Sequence, residues 1–209
     1  MGRPPGADGQ RTREEILECA LGAFAESGFE AMSVRRLTRE LDVSHNLVHH
    51  YFDSKTALWE AALDHGLAKT LHELSSLLED NVGGPDPVAT VRVGVERAIL
   101  LLARNPAVVR IVLDESARGG ERLDFIYARF LAPGMDVLKR FLANARGKGL
   151  RDVDARVLLL FTLSAASTFF TQAALAEKLG ISPPASGRAL NRHARALVEL
   201  ILGGVVEPV

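Results

Sequence analysis

The sequence predicts an all-α protein of about nine helices. Two observations carry this. Apolar residues recur at helical spacing nearly throughout the 209 residues, and alternating β-branched runs that would mark strands are almost absent. Capping residues, glycines and prolines then divide the helical pattern into segments.

Residues 1–11 are rich in Gly and Pro and read as a disordered arm. Thr12 and Glu15 make a capping box, after which Ile16, Leu17, Ala20, Leu21 and Phe24 fall on one helical face. Gly28 is placed to stop that helix. Ser33 caps a second, short helix whose inner face is Val34, Leu37 and Leu41, and a tight turn at Asp42-Val43 follows. Ser44 caps a third helix, with Val48 and Phe52 at i, i+4 on its inner side. Ser54 opens a long fourth helix that runs to the break at Asn81-Val82-Gly83-Gly84-Pro85. Five further helical segments follow, roughly Pro87–Arg104, Pro106–Arg118, Glu121–Lys148, Asp154–Leu179 and Pro184–Gly203, the third kinked or split at Pro133-Gly134. The division is then 1–11 arm, 12–55 helix-turn-helix segment, and 56–209 second helical domain.

Composition is that of an ordinary folded protein, with 47% hydrophobic and 24% charged residues. A formal net charge of −1 gives no global support for nucleic-acid binding, so any such activity must come from a local patch. The single cysteine, Cys19, rules out an internal disulfide, suits a reducing cytoplasm and reads as a small core residue. The N-terminus lacks the apolar core of a signal peptide. The longest apolar stretch, Val157 to Ala176, carries Thr162, Ser164, Ser167, Thr168, Thr171 and Gln172, and reads as a helix buried on two sides rather than a membrane span.

The chemistry lies in Ser33–Lys55. Two short helices joined by a tight turn and braced by a longer one can push the last helix into a DNA major groove. That helix needs a dry face, which Val48 and Phe52 provide. It also needs a wet face able to hydrogen-bond bases and phosphates, which His45, Asn46, His49 and His50 provide, with Leu47 able to meet a thymine methyl. Arg35, Arg36 and Arg39 add positive charge on the second helix, and Arg3, Arg11 and Arg13 lie near the N-terminus, where a mobile tail reaches a minor groove.

From Thr12 to Leu63 the sequence strongly resembles the TetR family of transcriptional regulators. The matching anchors are Gly28-Phe29, Ser33-Val34-Arg35, Val43-Ser44, Tyr51-Phe52 and Ser54-Lys55, at fixed spacing. The resemblance implies that Tyr51 and Lys55 contact phosphates, that residues 45 to 49 face bases, and that Ser33 at a helix N-terminus receives a phosphate; backbone N–H groups there attract anions in any case. Four positions depart from the family pattern: Asp42 stands for a turn glycine, Thr38 for an alanine, Asn46 for a glycine and His49 for a tyrosine. The DNA-binding set is therefore Ser33, Arg35, Arg36, Ser44, His45, Asn46, Leu47, His49, His50, Tyr51 and Lys55.

Paired half-sites on DNA require a dimer. Leu190, Ala194, Leu197, Val198 and Ile201 form an apolar stripe that reads either as a dimer surface, joined by the 158–176 helix in a four-helix bundle, or as intramolecular core. The remaining helices are expected to enclose a pocket for a small hydrophobic or aromatic effector, with Phe125, Phe130, Met135, Phe161, Phe169 and Phe170 as apolar lining and Thr168 and Gln172 as orienting groups. No metal is expected: His45 and His49 share a face, but no carboxylate or cysteine nearby completes a set. Adjacent Asp114 and Glu115 point in different directions on a helix, and no nucleophile triad, Walker loop or dinucleotide fingerprint is present, so neither an enzyme nor a cofactor is expected.

The sequence thus supports a ligand-responsive regulator, in all expectation a repressor, that binds a palindromic operator as a homodimer. A regulator controlled by a partner protein and a helical adaptor with a decayed DNA-binding domain stand as alternatives.

Overall fold

The protein's structure, a computed structural model, describes residues 7–181 and 187–206. Among the described residues it is built from α-helices without a β-strand. The first helix, α1, spans Ala7–Ala31 and so begins five residues before Thr12. Gln10 pairs with Glu14 at 2.8 Å and Arg11 with Glu15 at 2.9 Å, i, i+4 contacts that support these early turns. Residues 7–11 are therefore helix rather than arm, Arg11 and Arg13 ride on α1, and Arg3 lies outside the described residues. At Gly28 the backbone leaves helical geometry with φ 76° and ψ 166°, a conformation that only glycine adopts without cost.

Three short connections then follow the sequence closely. Helix α2 (Val34–Glu40) is capped by Ser33 and α3 (His45–Tyr51) by Ser44, whose Oγ accepts from Leu47 N at 3.1 Å. Between them Asp42 holds a φ of 53°, the left-handed turn for which glycine would otherwise be chosen. Helix α4 (Lys55–Asp80) starts at Ser54, which accepts from Ala57 N at 3.0 Å.

Helices α5 (Pro87–Arg104) and α6 (Pro106–Arg118) have the bounds the prolines predict. The segment expected at Glu121–Lys148 is divided into α7 (Glu121–Ile126), one π-helical turn (Tyr127–Leu131) and α8 (Ala132–Ala145). Pro133 lacks the N–H that would continue the ladder, and the chain widens in the turn just before it. The 154–179 segment also splits, into α9 (Ala155–Thr171) and α10 (Ala173–Lys178), with Gln172 out of helical geometry at φ −121°, ψ 29°. Near this break the Ser167 and Thr168 hydroxyls both donate to the Ser164 carbonyl, competition for a backbone acceptor that bends helices. The last helix is α11 (Gly187–Val205). Among the described residues, none of these helices is long and apolar enough to cross a membrane.

Two apolar cores organise these elements. The first joins Ile16, Leu17, Phe24, Leu37, Val48 and Phe52 to Leu58, Trp59 and Leu63 of α4, and to Val108, Ile111, Ile126 and Phe130 beyond it. The small N-terminal helices thus share one interior with the first half of α4, with α6 and with α7. The second gathers α5, α8, α9 and α11 around Val95, Ile99, Phe141, Leu158 and Val198. Ala194, Val198 and Ile201 are buried here at 0%, 2% and 3% exposure, and Leu197 packs against them with Leu190 half-buried. The α11 stripe is therefore intramolecular core. An amphipathic stripe has one apolar side, and α5 and α9 already cover it.

Replacing Asp42 by Gly relieves the left-handed turn and keeps stability within about 1 kcal/mol, whereas Asp42→Val costs about 1–2 kcal/mol. Urea unfolding of the two variants checks the order.

Candidate nucleic-acid interface

Helix α3 is held from one side only. Val48 (2% exposed) and Phe52 (5%) are its anchors in the first core, while His45, Asn46, His49 and His50 are exposed and Leu47 is half-buried. On the outer face the His45 and His49 Nε2 atoms lie 3.1 Å apart. Arg13, expected on a mobile tail, instead stacks from α1 over the Phe52 ring at 5.4 Å, a cation beside the end of α3.

The residues at the C-terminal end of α3 are positioned by distant parts of α1. The Tyr51 hydroxyl donates to the Gly9 carbonyl at 3.1 Å, and an added Cβ at Gly9 would meet that hydroxyl at 3.2 Å. Lys55 Nζ donates to the Glu30 carbonyl at 3.1 Å and lies 4.8 Å over the Phe29 ring. On α2, Ser33 accepts from Arg36 N at 3.4 Å and Arg36 pairs with Glu40 at 2.7 Å, while Arg35 is exposed. Ser33, Arg35 and Arg36 at the start of α2, the outer face of α3, and Tyr51 with Lys55 together make a polar and basic surface that a groove and its phosphates could fill.

Behind this surface lies a brace. Phe29 stacks on Phe24 at 5.8 Å and meets the edge of Trp59 at 6.1 Å; Trp59 in turn packs on Phe125, and Phe125 on Phe130. Arg122 of α7 stands over Phe29 at 4.4 Å and donates to Glu115 at 2.9 Å and Glu30 at 3.2 Å. Glu115 is 3% exposed while its neighbour Asp114 faces solvent, so the adjacent acids diverge as helical geometry requires. The contacts of Arg122 with Phe29 and Glu30 join residues more than 90 positions apart, and no local spacing could have announced them.

The residues expected to line an effector pocket do not converge. Phe125 and Phe130 belong to the Trp59 aromatic cluster and Met135 is buried in α8. Phe161 is 60% exposed, Thr168 and Gln172 are exposed, and the side chains of Phe169 and Phe170 lie outside the described residues. An apolar cavity instead opens between α4, α5, α8 and α9, bounded by Leu74, Leu78, Val91, Val95, Leu138 and Leu158, with Thr162 as its one polar side chain. Aliphatic residues line it, whereas Phe125 and Phe130 serve the brace. Cys19 is half-buried, and burial pushes its thiol up, as fits a packing residue.

Residues 16–62, which include α2, α3 and Lys55, match the family model of the bacterial regulatory proteins, tetR family. The whole chain shares its fold with solved regulators. HlyIIR, a hemolysin II transcriptional regulator, is 19% identical with a TM-score of 0.70 over 96% of this chain and 99% of its own. The ketosteroid transcriptional regulator KstR2 of Mycobacterium tuberculosis is 22% identical with a TM-score of 0.64 over 94% and 95%. The fatty acid degradation regulator FadR from Bacillus halodurans is 14% identical with a TM-score of 0.66 over 91% and 98%. No curated protein matches the chain.

Arg122→Ala leaves a buried carboxylate without its cation and lowers stability by about 3 kcal/mol, whereas the double change Arg122→Ala, Glu115→Leu recovers most of that loss. Chemical unfolding of both variants measures the difference.

Proposed function

We infer that this chain is a transcriptional regulator of the tetR family, that it binds a palindromic DNA operator as a homodimer, and that a small apolar effector releases it. The observation that carries the DNA half is α3 itself. It is a seven-residue helix, capped at Ser44 and anchored by Val48 and Phe52, with an unbroken polar outer face inside the segment that matches the family. In this reading His45, Asn46, Leu47 and His49 meet base edges, Ser44 and His50 meet the groove wall, and Ser33, Arg35, Arg36, Tyr51 and Lys55 meet phosphates. The Ser33 and Ser44 oxygens already accept from the backbone, so their hydroxyl protons are what remains for a phosphate.

The dimer surface is proposed on the outer face of α9 and α11. Val157, Leu160 and Phe161 stand at i, i+3, i+4 with exposures of 59%, 63% and 60%, and Leu200 of α11 is 74% exposed. Four large apolar side chains left in water on neighbouring helices favour a self-complementary contact, and a two-fold axis there would pair the two α3 helices with half-sites one DNA turn apart.

The effector is proposed to occupy the cavity between α4, α5, α8 and α9. A lining of aliphatic side chains and one threonine hydroxyl suits an uncharged, mostly hydrocarbon molecule with at most one hydrogen-bonding group. Structural neighbours are named for ketosteroid and fatty acid regulation, but the cavity holds only about 80 Å³, so an effector of that size enters by parting the four helices. Helix α4 supplies the lever, since it begins at Lys55, carries Trp59 through the brace and brings Leu74 and Leu78 to the cavity. A ligand that favours one setting of α4 shifts the separation of the two α3 helices.

The test is a salt-titrated binding assay with DNA from beside the protein's own gene against random DNA of equal length. Specific binding with two chains per site supports the reading, while failure to select any sequence from a random pool moves the function to an adaptor. Lys55→Ala weakens binding to specific and random DNA alike and reduces the salt slope by about 1, whereas Tyr51→Ala, which removes no charge, weakens binding with the slope unchanged. Leu200→Glu yields a folded monomer in sedimentation analysis, with a sharp loss of operator affinity.

A further inference from the structure

The outer face of α3 brings two imidazoles together. His45 and His49 are exposed one helical turn apart, with Nε2 atoms 3.1 Å from each other and ring planes at 85°. One Nε2–H donates to the lone pair of the other. The same separation is the span between two neighbouring nitrogen ligands of a transition metal. With metal–nitrogen bonds of roughly 2.0–2.1 Å it corresponds to an angle of about 100°, between square-planar and tetrahedral geometry. Metal entry requires that the donor ring move its proton from Nε2 to Nδ1 and that the rings turn until both Nε2 lone pairs converge on the ion.

The chemistry of the pair selects the ion. Imidazole nitrogens favour Cu²⁺, Ni²⁺ and Zn²⁺, whereas Ca²⁺ and Mg²⁺ need oxygen ligands that the pair lacks. Among the described residues no third histidine, cysteine or carboxylate joins the two rings, so water completes the coordination. The open positions face outward from α3, because its other side is closed by Val48 and Phe52.

We propose that His45 and His49 form a bidentate site for a divalent transition-metal ion, and that occupancy of this site opposes DNA binding. The ion consumes both Nε2 atoms, and its water shell fills the space a base edge needs. The second half rests on α3 being the DNA-reading helix; the first half does not.

The experiment begins with the full-length protein free of DNA, titrated with Cu²⁺, Ni²⁺ and Zn²⁺ in competition with a chelating indicator and followed by ¹⁵N resonances of labelled histidine. One ion binds per chain, tightest for Cu²⁺; diamagnetic Zn²⁺ shifts the Nε2 signals of two imidazoles, and paramagnetic Cu²⁺ broadens the same two away. Binding is lost in His45→Asn and in His49→Asn and retained in His50→Asn, with the helical circular dichroism of all three unchanged. Absence of saturable binding, or binding that survives His45→Asn, overturns the site. In the second arm, saturating Ni²⁺ weakens binding to a DNA selected from a random pool by about tenfold and EDTA restores it. Unchanged affinity at full metal occupancy overturns the link to DNA while leaving the DNA-reading assignment intact.

Discussion

The arrangement of this protein depends on one buried carboxylate and its cation. Glu115 is almost wholly withdrawn from water on α6, and Arg122 is the cation that pairs with it. A charge at that depth is tolerated only with a partner in good geometry. The partner is itself fixed from three sides, by Glu115, by Glu30 near the end of α1 and by the face of Phe29. Through that one guanidinium, α6 and α7 are tied to the end of α1, against which α2 and α3 pack.

The consequence runs in both directions along the chain. Phe29 carries Arg122 at 4.4 Å and Lys55 at 4.8 Å, and the Lys55 ammonium is held by the backbone carbonyl of Glu30, whose side chain Arg122 engages. A movement of α6 or α7 therefore reaches Lys55 through two residues. Trp59 fills the space beneath, with Phe29 on one side and Phe125 on the other, so α2, α3 and the first half of α4 form one packed body. A separate core around α5, α8, α9 and α11 leaves the far end of α4 to sense a different environment. One helix spanning two cores is a physical basis for coupling between them.

Helix α9 shows how a uniformly apolar sequence can serve two surfaces. Leu158, Thr162 and Ala166 recur every four residues and face the second core, whereas Val157, Leu160 and Phe161 face water. Burial on the inner side accounts for only part of the apolar residues that the helix contains. The outer set on α9, with Leu200 on α11, is the surplus that an isolated chain leaves hydrated at a cost of about 25 cal/mol per Å².

The sequence by itself determined the helical class, the caps at Ser33, Ser44 and Ser54, the break in α1 at Gly28, the left-handed turn at Asp42 and the bounds of α5 and α6. These are local matters, settled within four or five residues by backbone geometry and side-chain hydrogen bonds. The polar outer face of α3 was legible for the same reason, since helical periodicity alone divides Val48 and Phe52 from the histidines. Tertiary structure decided the rest. The start of α1 at Ala7 accompanies a Tyr51 contact 42 residues away, and the splitting of α9 from α10 could not be read from hydropathy. Whether an apolar residue became brace, cavity wall or outer surface was equally undetermined. Phe125, Leu74 and Phe161 are alike in hydropathic pattern, and the neighbours that distinguish them come from helices far along the chain. Periodicity tells which side of a helix avoids water, but only the packing of other helices tells what covers it.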